Sequence, residues 1–165
     1  MLTTLLTQKR EAILKNWFDR IANTYPADSS KLLNKNNQFA NPVGSTFRNE
    51  IAKLFDCLVE SADAAGVSKA TESINRIRAV QDFSPSQAVA FIFYLKSAIR
   101  EELRDELTEA ERLHELLSLE SAIDGMALIA FDTYMACRER MHEIKYSDFK
   151  RRSQMFGGGR SRSNN

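Results

Sequence analysis

Two copies of a Glu-x-x-His pattern carry the strongest chemical signal in the sequence, Glu111-Arg-Leu-His114 and Glu139-Arg-Met-His142. This spacing puts a carboxylate and an imidazole on one face of a helix, and di-iron helical bundles use two such patterns with two further glutamates. On one uninterrupted helix the patterns would lie about 42 Å apart, which is too far to share a metal. Only a turn at Asp124-Gly125 would bring them together. We favour solvated or ion-paired side chains, and a di-iron carboxylate bundle is the alternative that stays open.

A second polar cluster falls between two predicted helices and contains Arg76, Arg78, Gln81 and Asp82. These side chains could bind a small anion, or they could fix the loop by helix capping and ion pairs. An aspartate or serine beside a helix start is a common capping residue, so both interpretations remain open. We treat the cluster as a candidate ligand or regulatory junction.

Signals for catalysis are weak in this sequence. It contains no Gly-rich phosphate loop, no Ser or Cys nucleophile with a recognisable neighbouring base, and only two histidines. We therefore expect a protein that is not an enzyme and that holds no cofactor and no metal.

Composition and charge indicate a single globular domain. The 165 residues are 43% hydrophobic and 27% charged, with a formal net charge of +1. Such a small charge gives no overall attraction to nucleic acid. We expect a folded domain over residues 1–149 and a flexible basic tail over residues 150–165, because the tail is rich in Gly, Ser and Arg. No specific nucleic-acid partner is predicted.

The cysteines and the lengths of the apolar runs both bear on where in the cell the protein is located. Cys57 and Cys137 lie far apart among apolar residues, which favours reduced and buried thiols over a disulfide. No apolar run approaches the roughly 18 residues of a membrane span. We expect a cytoplasmic protein without membrane insertion.

Apolar spacing and capping patterns predict an all-α fold with about five main helices, the last of them long. Asn41-Pro42 and Ser84-Pro85-Ser86-Gln87 each look like a capped helix start with proline at the first helical position. Gly66 suits the end of a helix and Ser68 the start of the next. The predicted helices cover residues 5–21, 42–64, 69–80, 85–103 and about 109 to 144 or beyond, with the last helix continuous through Gly125.

Apolar residues near the ends of the long terminal helices predict a homodimer. A two-fold contact would cover side chains that the other helices leave exposed. The alternative is that the whole last helix packs within one subunit. The interface candidates are Leu5, Leu6, Phe18, Tyr134, Met135 and Met141.

Three stretches together resemble one family. They are Lys9-Arg-Glu-Ala-Ile-Leu-Lys-Asn-Trp17, Phe39-Ala-Asn-Pro-Val-Gly44 and Arg76-Ile-Arg-Ala-Val-Gln-Asp-Phe-Ser-Pro-Ser-Gln87. With the long helix that follows, they are similar to the N-terminal sensor domain of the RsbT co-antagonist (RsbRD) family over roughly residues 5–150.

This resemblance implies a globin-like helical bundle without haem, usually dimeric, that precedes a phosphorylatable STAS domain in stressosome-type signalling proteins. The sequence ends where a STAS domain would begin, so we do not carry over the interactions that such a domain makes. We expect a non-enzymatic regulatory or sensory interaction module whose protein partner in a signalling complex is unknown.

Overall fold

The computed structural model describes residues 1–33, 41–61, 63–81 and 83–157, and within these residues the chain is all-α. Seven helices follow one another without a strand in the described part. Their bounds are α1 Leu2–Gln8, α2 Arg10–Ala22, α3 Ala27–Leu33, α4 Pro42–Val59, α5 Ala64–Val80, α6 Pro85–Glu102 and α7 Ala110–Gly157. The predicted all-α class with a long last helix is confirmed.

The first predicted helix is broken in two at Lys9, which has φ −99° and ψ 13°. The break lets α1 turn so that Leu2 and Leu6 are both buried. Lys9 Nζ donates to the carbonyl oxygen of Glu102 at 2.6 Å and pairs with Glu106 Oε1 at 2.6 Å. The prediction of one continuous helix over residues 5–21 is therefore wrong, because a long-range contact to the end of α6 fixes the kink.

The start of α4 is built around Asn41 and Gly44. The Asn41 side chain accepts a hydrogen bond from the Gly44 amide at 2.8 Å and donates through Nδ2 to the Leu33 carbonyl at 2.6 Å. A Cβ on Gly44 would lie 2.6 Å from that same carbonyl. Glycine is therefore required here by the close approach of α3 to α4, and Asn41-Pro42 starts the helix as predicted.

The turn between α4 and α5 lies earlier than the sequence indicates. α4 ends at Val59, and Ser61 adopts a left-handed conformation with φ 54°. Asp63 caps α5, since its carboxylate accepts from the Gly66 amide at 2.9 Å. The predicted helix end at Gly66 and helix start at Ser68 are thus wrong.

Helices α6 and α7 agree more closely with prediction. Ser84 and Gln87 form a complete capping box at the start of α6. The 48-residue α7 runs without interruption through Gly125 and is about 72 Å long. It includes residues 150–157, which were assigned to a flexible tail, while residues 158–165 lie outside the described residues.

The core lies between α7 and the helices that pack on it. α7 contacts mainly α5 and α6, α2 packs on α6, and α4 packs on α5. Trp17 stacks on Phe91 with a ring separation of 6.4 Å and donates through Nε1 to the Phe91 carbonyl at 2.6 Å. Both cysteines are free thiols, with Cys137 buried and Cys57 partly buried. Among the described helices none is long and apolar enough to cross a membrane.

Candidate functional site

The two Glu-x-x-His patterns lie on the same uninterrupted helix, so the turn that would bring them together is not formed. Glu111-Arg-Leu-His114 is near the start of α7 and Glu139-Arg-Met-His142 is beyond its middle. In the described part of the chain, no three His, Cys, Asp or Glu side chains come together in a way that could hold a metal ion. The geometry therefore gives no support to a di-iron centre.

The polar cluster between α5 and α6 divides into members that point in different directions. Arg76 is exposed and pairs with Glu72 one turn earlier, at 2.7 Å. Arg78 is buried, with 1% of its surface exposed. Gln81 is the residue that follows the last turn of α5. Asp82 lies outside the described residues. The structure thus separates Arg76 from Arg78 instead of joining them in one site.

The guanidinium of Arg78 is enclosed by aromatic rings. Its central carbon lies between 4.6 and 5.6 Å from four ring centres, with Phe83 the closest. Rings attract a cation through their negative faces, and this attraction is strongest where water is excluded. We call this arrangement the Arg78 cage, and its rings belong to Tyr25, Phe47, Phe83 and Phe91.

Hydrogen bonding of Arg78 is incomplete. Nη1 donates to the Gln87 carbonyl at 3.3 Å, whereas Nε and Nη2 are buried without a hydrogen-bond partner. Burial lowers the pKa of Arg78 and raises the pKa of the neighbouring Tyr25 phenol. The Tyr25 hydroxyl donates to Gln81 Oε1 at 3.1 Å. The cage is therefore held mainly by ring contacts and not by a buried ion pair.

A surface groove lies next to the cage, between the α5–α6 connection and the outer half of α7. Phe83 belongs to both, because its ring closes the cage and also lines the groove. We call this surface the junction groove, and its volume is about 490 Å³. Its described lining residues are Ala79, Val80, Gln81, Phe83, Ser84, Pro85, Arg138, Met141, His142 and Lys145.

The α7 residues of the groove were missed by the sequence reasoning. Arg138, His142 and Lys145 follow one another at steps of four and three residues, which is the spacing of one helical face. That spacing was visible in the sequence. The sequence did not show which part of the fold this face meets, because that depends on how α7 is rotated against α5 and α6.

α7 is attached to the connection through the Phe83 carbonyl. This oxygen accepts from the Tyr134 hydroxyl at 3.2 Å and from Arg138 Nη1 at 3.3 Å. Arg138 Nη1 also donates to the Tyr134 hydroxyl at 3.1 Å. One backbone carbonyl thus joins the cage, the groove and α7.

The six predicted interface residues occupy different environments. Leu6, Phe18 and Tyr134 are buried within one chain and offer little surface to a second copy. Leu5 and Met135 are half-buried against the core, and Met141 lines the junction groove.

The large exposed apolar side chains of α7 lie elsewhere. At 100° per residue, the exposed Leu113, Leu117, Leu128 and Phe131 fall within one narrow stripe. The half-buried Met135 lies on the same stripe. Leu128 is 70% exposed and Leu117 63% exposed. Phe93 of α6 lies beside this stripe, since Lys96 contacts its ring and also pairs with Asp124 at 2.6 Å. We call this stripe, with Phe93, the outer face of α7.

A family model described as the RsbT co-antagonist protein rsbRD N-terminal domain matches residues 11–145 of the chain. That range contains the described residues of the Arg78 cage and of the junction groove, and it ends at Lys145. No curated protein and no solved structure matches the chain.

Proposed function

Since the chain belongs to the RsbRD N-terminal domain family, we propose that it is a non-enzymatic sensory and protein-interaction module of stressosome-type signalling. Family members of this kind carry signals, and we infer a cytoplasmic location from the reduced cysteines that the sequence predicts. In this proposal a change at the α5–α6 connection alters how α7 is held, and α7 passes that change to a partner.

The observation that carries the proposal is that one part of α7 is packed in the fold and the other part is exposed. Its first two thirds pack against α5 and α6, whereas every described side chain from His142 onward is exposed. A continuous helix is a stiff element, so a small shift where it is packed becomes a larger displacement at its free end. The exposed end carries Tyr146, Phe149 and Phe156, which are apolar and more than two thirds uncovered.

The outer face of α7 supports homodimer formation. Leu117 and Leu128 lie on one side of the helix, and between them are the small residues Ser121 and Gly125, where an added Cβ at Gly125 would meet nothing. Large contiguous apolar patches are rarely left uncovered on a monomer. A second copy of the same chain would bury this face in a two-fold contact.

Light scattering of the purified chain tests the dimer. We expect twice the mass of one chain at micromolar concentration, and one chain mass for the double variant Leu128→Glu, Phe131→Glu. Ile144→Glu is the matched control, because Ile144 is 61% exposed and lies about 180° from Leu117 around the helix. A monomeric wild-type chain would contradict the dimer.

A mixing experiment tests the signalling assignment. The tagged full chain is combined with a full-length family member that carries a STAS domain, and complexes are weighed by mass photometry. We expect a mixed complex that is lost in Leu128→Glu, Phe131→Glu and kept in Ile144→Glu. Failure to form a mixed complex with several such proteins would count against a role in this kind of assembly.

A further inference from the structure

The junction groove collects positive charge without described carboxylates. Arg138 and Lys145 line it together with the imidazole of His142, and none of its described lining residues is an acid. None of these three α7 residues takes part in an ion pair within the described chain, in contrast to Arg100 of α6, which pairs with Glu120, and Arg112 in the first turn of α7, which pairs with Glu109. Arg138 and Lys145 therefore have no carboxylate partner among the described residues that line the groove.

Two other grooves among the described residues contain carboxylates as well as cations. In the groove between α2 and α4, Arg10 binds Asp56 through two nitrogens at 2.9 and 3.0 Å. In the groove between α2 and the end of α6, Arg20 pairs with Glu101. Carboxylates therefore pair with Arg10 and Arg20 in these grooves. Arg48, which also lines the groove between α2 and α4, contacts the Leu33 carbonyl and the Phe18 ring instead.

The opposite wall of the junction groove is apolar. Val80 is 68% exposed at the end of α5. Phe83, Pro85 and Met141 continue this wall. The volume of about 490 Å³ lies within the range of roughly 300–1,000 Å³ that small-molecule sites occupy.

We propose that the junction groove binds a small organic anion, in which a phosphate, sulfonate or carboxylate group is joined to an apolar body. The charged group lies against Arg138 and Lys145, where guanidinium and ammonium donors form charge-assisted hydrogen bonds. The apolar body lies on Val80 and Pro85 and removes their surface from water.

Such a ligand would touch both elements that the proposed function couples. It would bridge the end of α5 and the first turn of α6 to α7, next to the Phe83 carbonyl that Tyr134 and Arg138 already hold. Bound ligand would then favour the arrangement in which α7 is tied to the connection. This regulatory role rests on the proposed function, whereas the binding itself does not.

Isothermal titration calorimetry with three matched probes tests the binding. The probes are 1-naphthyl phosphate, which has both charge and apolar body, inorganic phosphate, which has charge alone, and 1-naphthol, which has the ring alone. We expect saturable binding of 1-naphthyl phosphate and weaker binding of each of the others. Equal affinity for 1-naphthol and 1-naphthyl phosphate would overturn the role of the cations, and equal affinity for inorganic phosphate would overturn the role of the apolar wall.

Paired variants locate the site. Arg138→Gln, Lys145→Gln should weaken 1-naphthyl phosphate about tenfold, which corresponds to about 1.4 kcal/mol. Arg140→Gln, Lys150→Gln removes the same charge from exposed positions of α7 outside the groove and should leave the affinity unchanged. Equal weakening by both pairs would show attraction by net charge alone and would overturn the site.

Two further measurements keep the test decisive. Because Arg138 also holds the Phe83 carbonyl, Lys145→Glu alone is included, and it too should weaken binding in a chain with an unchanged circular dichroism spectrum. Amide resonances of Phe83 and Ser84 should shift on titration with 1-naphthyl phosphate. No saturable binding at millimolar probe would overturn the proposal even if the dimer and mixed complexes form, and binding without those complexes would leave it standing.

Discussion

The hydroxyl of Tyr134 donates a hydrogen bond to the carbonyl of Phe83 at 3.2 Å, and this bond fastens the middle of α7 to the connection between α5 and α6. Tyr134 is completely buried, and the bond itself is partly buried. Its hydroxyl also accepts from Arg138 at 3.1 Å. The contact therefore couples the long helix to the part of the fold that carries the cage and the groove.

Tyr134→Phe should remove this link while keeping the ring in place. We expect the free energy of unfolding to fall by about 1–2 kcal/mol, because a partly buried carbonyl loses one of its two donors. Native-state hydrogen exchange should become faster around Phe83 and in α7 beyond Arg138. Thr133→Ala, on the adjacent α7 position, is the comparison variant, and equal acceleration there would argue against a specific role for Tyr134.

Gly44 and Gly125 should respond in opposite ways to alanine. A Cβ at Gly44 would lie 2.6 Å from the Leu33 carbonyl, whereas at Gly125 it would meet nothing within 4 Å. Gly44→Ala should destabilise the chain by about 1–3 kcal/mol. Gly125→Ala should stabilise it by up to about 1 kcal/mol, because alanine favours the helix interior. Urea unfolding of both variants measures the difference, and a neutral Gly44→Ala would contradict the close approach of α3 to α4.

Local signals in the sequence were sufficient where both partners lie within one helical turn. The Ser84–Gln87 capping box and the Asn41 cap of α4 are of this kind. The kink at Lys9 was not predictable, since it depends on contacts with Glu102 and Glu106 about ninety residues later.

The candidate site was predictable only in part, for the same reason. The sequence predicts Arg78 and Gln81 near a helix junction, and both lie at the end of α5. Helical spacing puts Arg78 on the same face of α5 as Ile74, and Arg76 on the opposite face. It does not show which other helices cover the Arg78 face, because that depends on how α5 packs in the fold. The α7 cations of the groove required the same tertiary information.

The Lys9–Glu106 pair should make stability depend on acid pH. Lys9 holds the pKa of Glu106 below its ordinary value of 4.5, because its ammonium group donates to that carboxylate. A carboxyl group with a lower pKa in the folded chain stabilises the fold above its unfolded-state pKa and loses this effect as pH falls through the folded value. The stability difference between wild type and Lys9→Met should therefore be constant above about pH 4.5 and shrink below it.

Thermal unfolding between pH 3 and 7 measures that difference. A residual, pH-independent loss should remain at the lowest pH, because Lys9 also donates to the Glu102 carbonyl. Lys69→Met serves as the control, since Lys69 is exposed and forms no ion pair among the described residues. If the stability difference between wild type and Lys9→Met stays constant down to the lowest pH, Lys9 does not lower the pKa of Glu106.

Substitution of Arg78 should separate the filling of the cage from its charge. A buried guanidinium without an acid partner loses several kcal/mol of hydration, and here two of its nitrogens lack hydrogen bonds. Methionine keeps most of the volume and needs no such bonds, so Arg78→Met should leave the free energy of unfolding unchanged or raise it. Arg78→Ala should lower it by about 2–5 kcal/mol, because it leaves a cavity among four rings.

The Arg78→Lys variant shows whether stability depends on the contacts between the guanidinium and the rings or only on a positive charge at this position. The lysine ammonium is compact and strongly hydrated, and it cannot spread across four rings as the planar guanidinium does. The Arg78→Lys variant should therefore be less stable than both wild type and Arg78→Met in urea unfolding. Arg78→Met could instead prove less stable than wild type by about 2 kcal/mol or more. In that case the attraction between the guanidinium and the rings outweighs the hydration that the guanidinium loses on burial. The cage would then hold α5 to α6 through its charge, and the Arg78→Met chain should show faster hydrogen exchange at Gln87 and Ala88, next to the carbonyl that Arg78 binds.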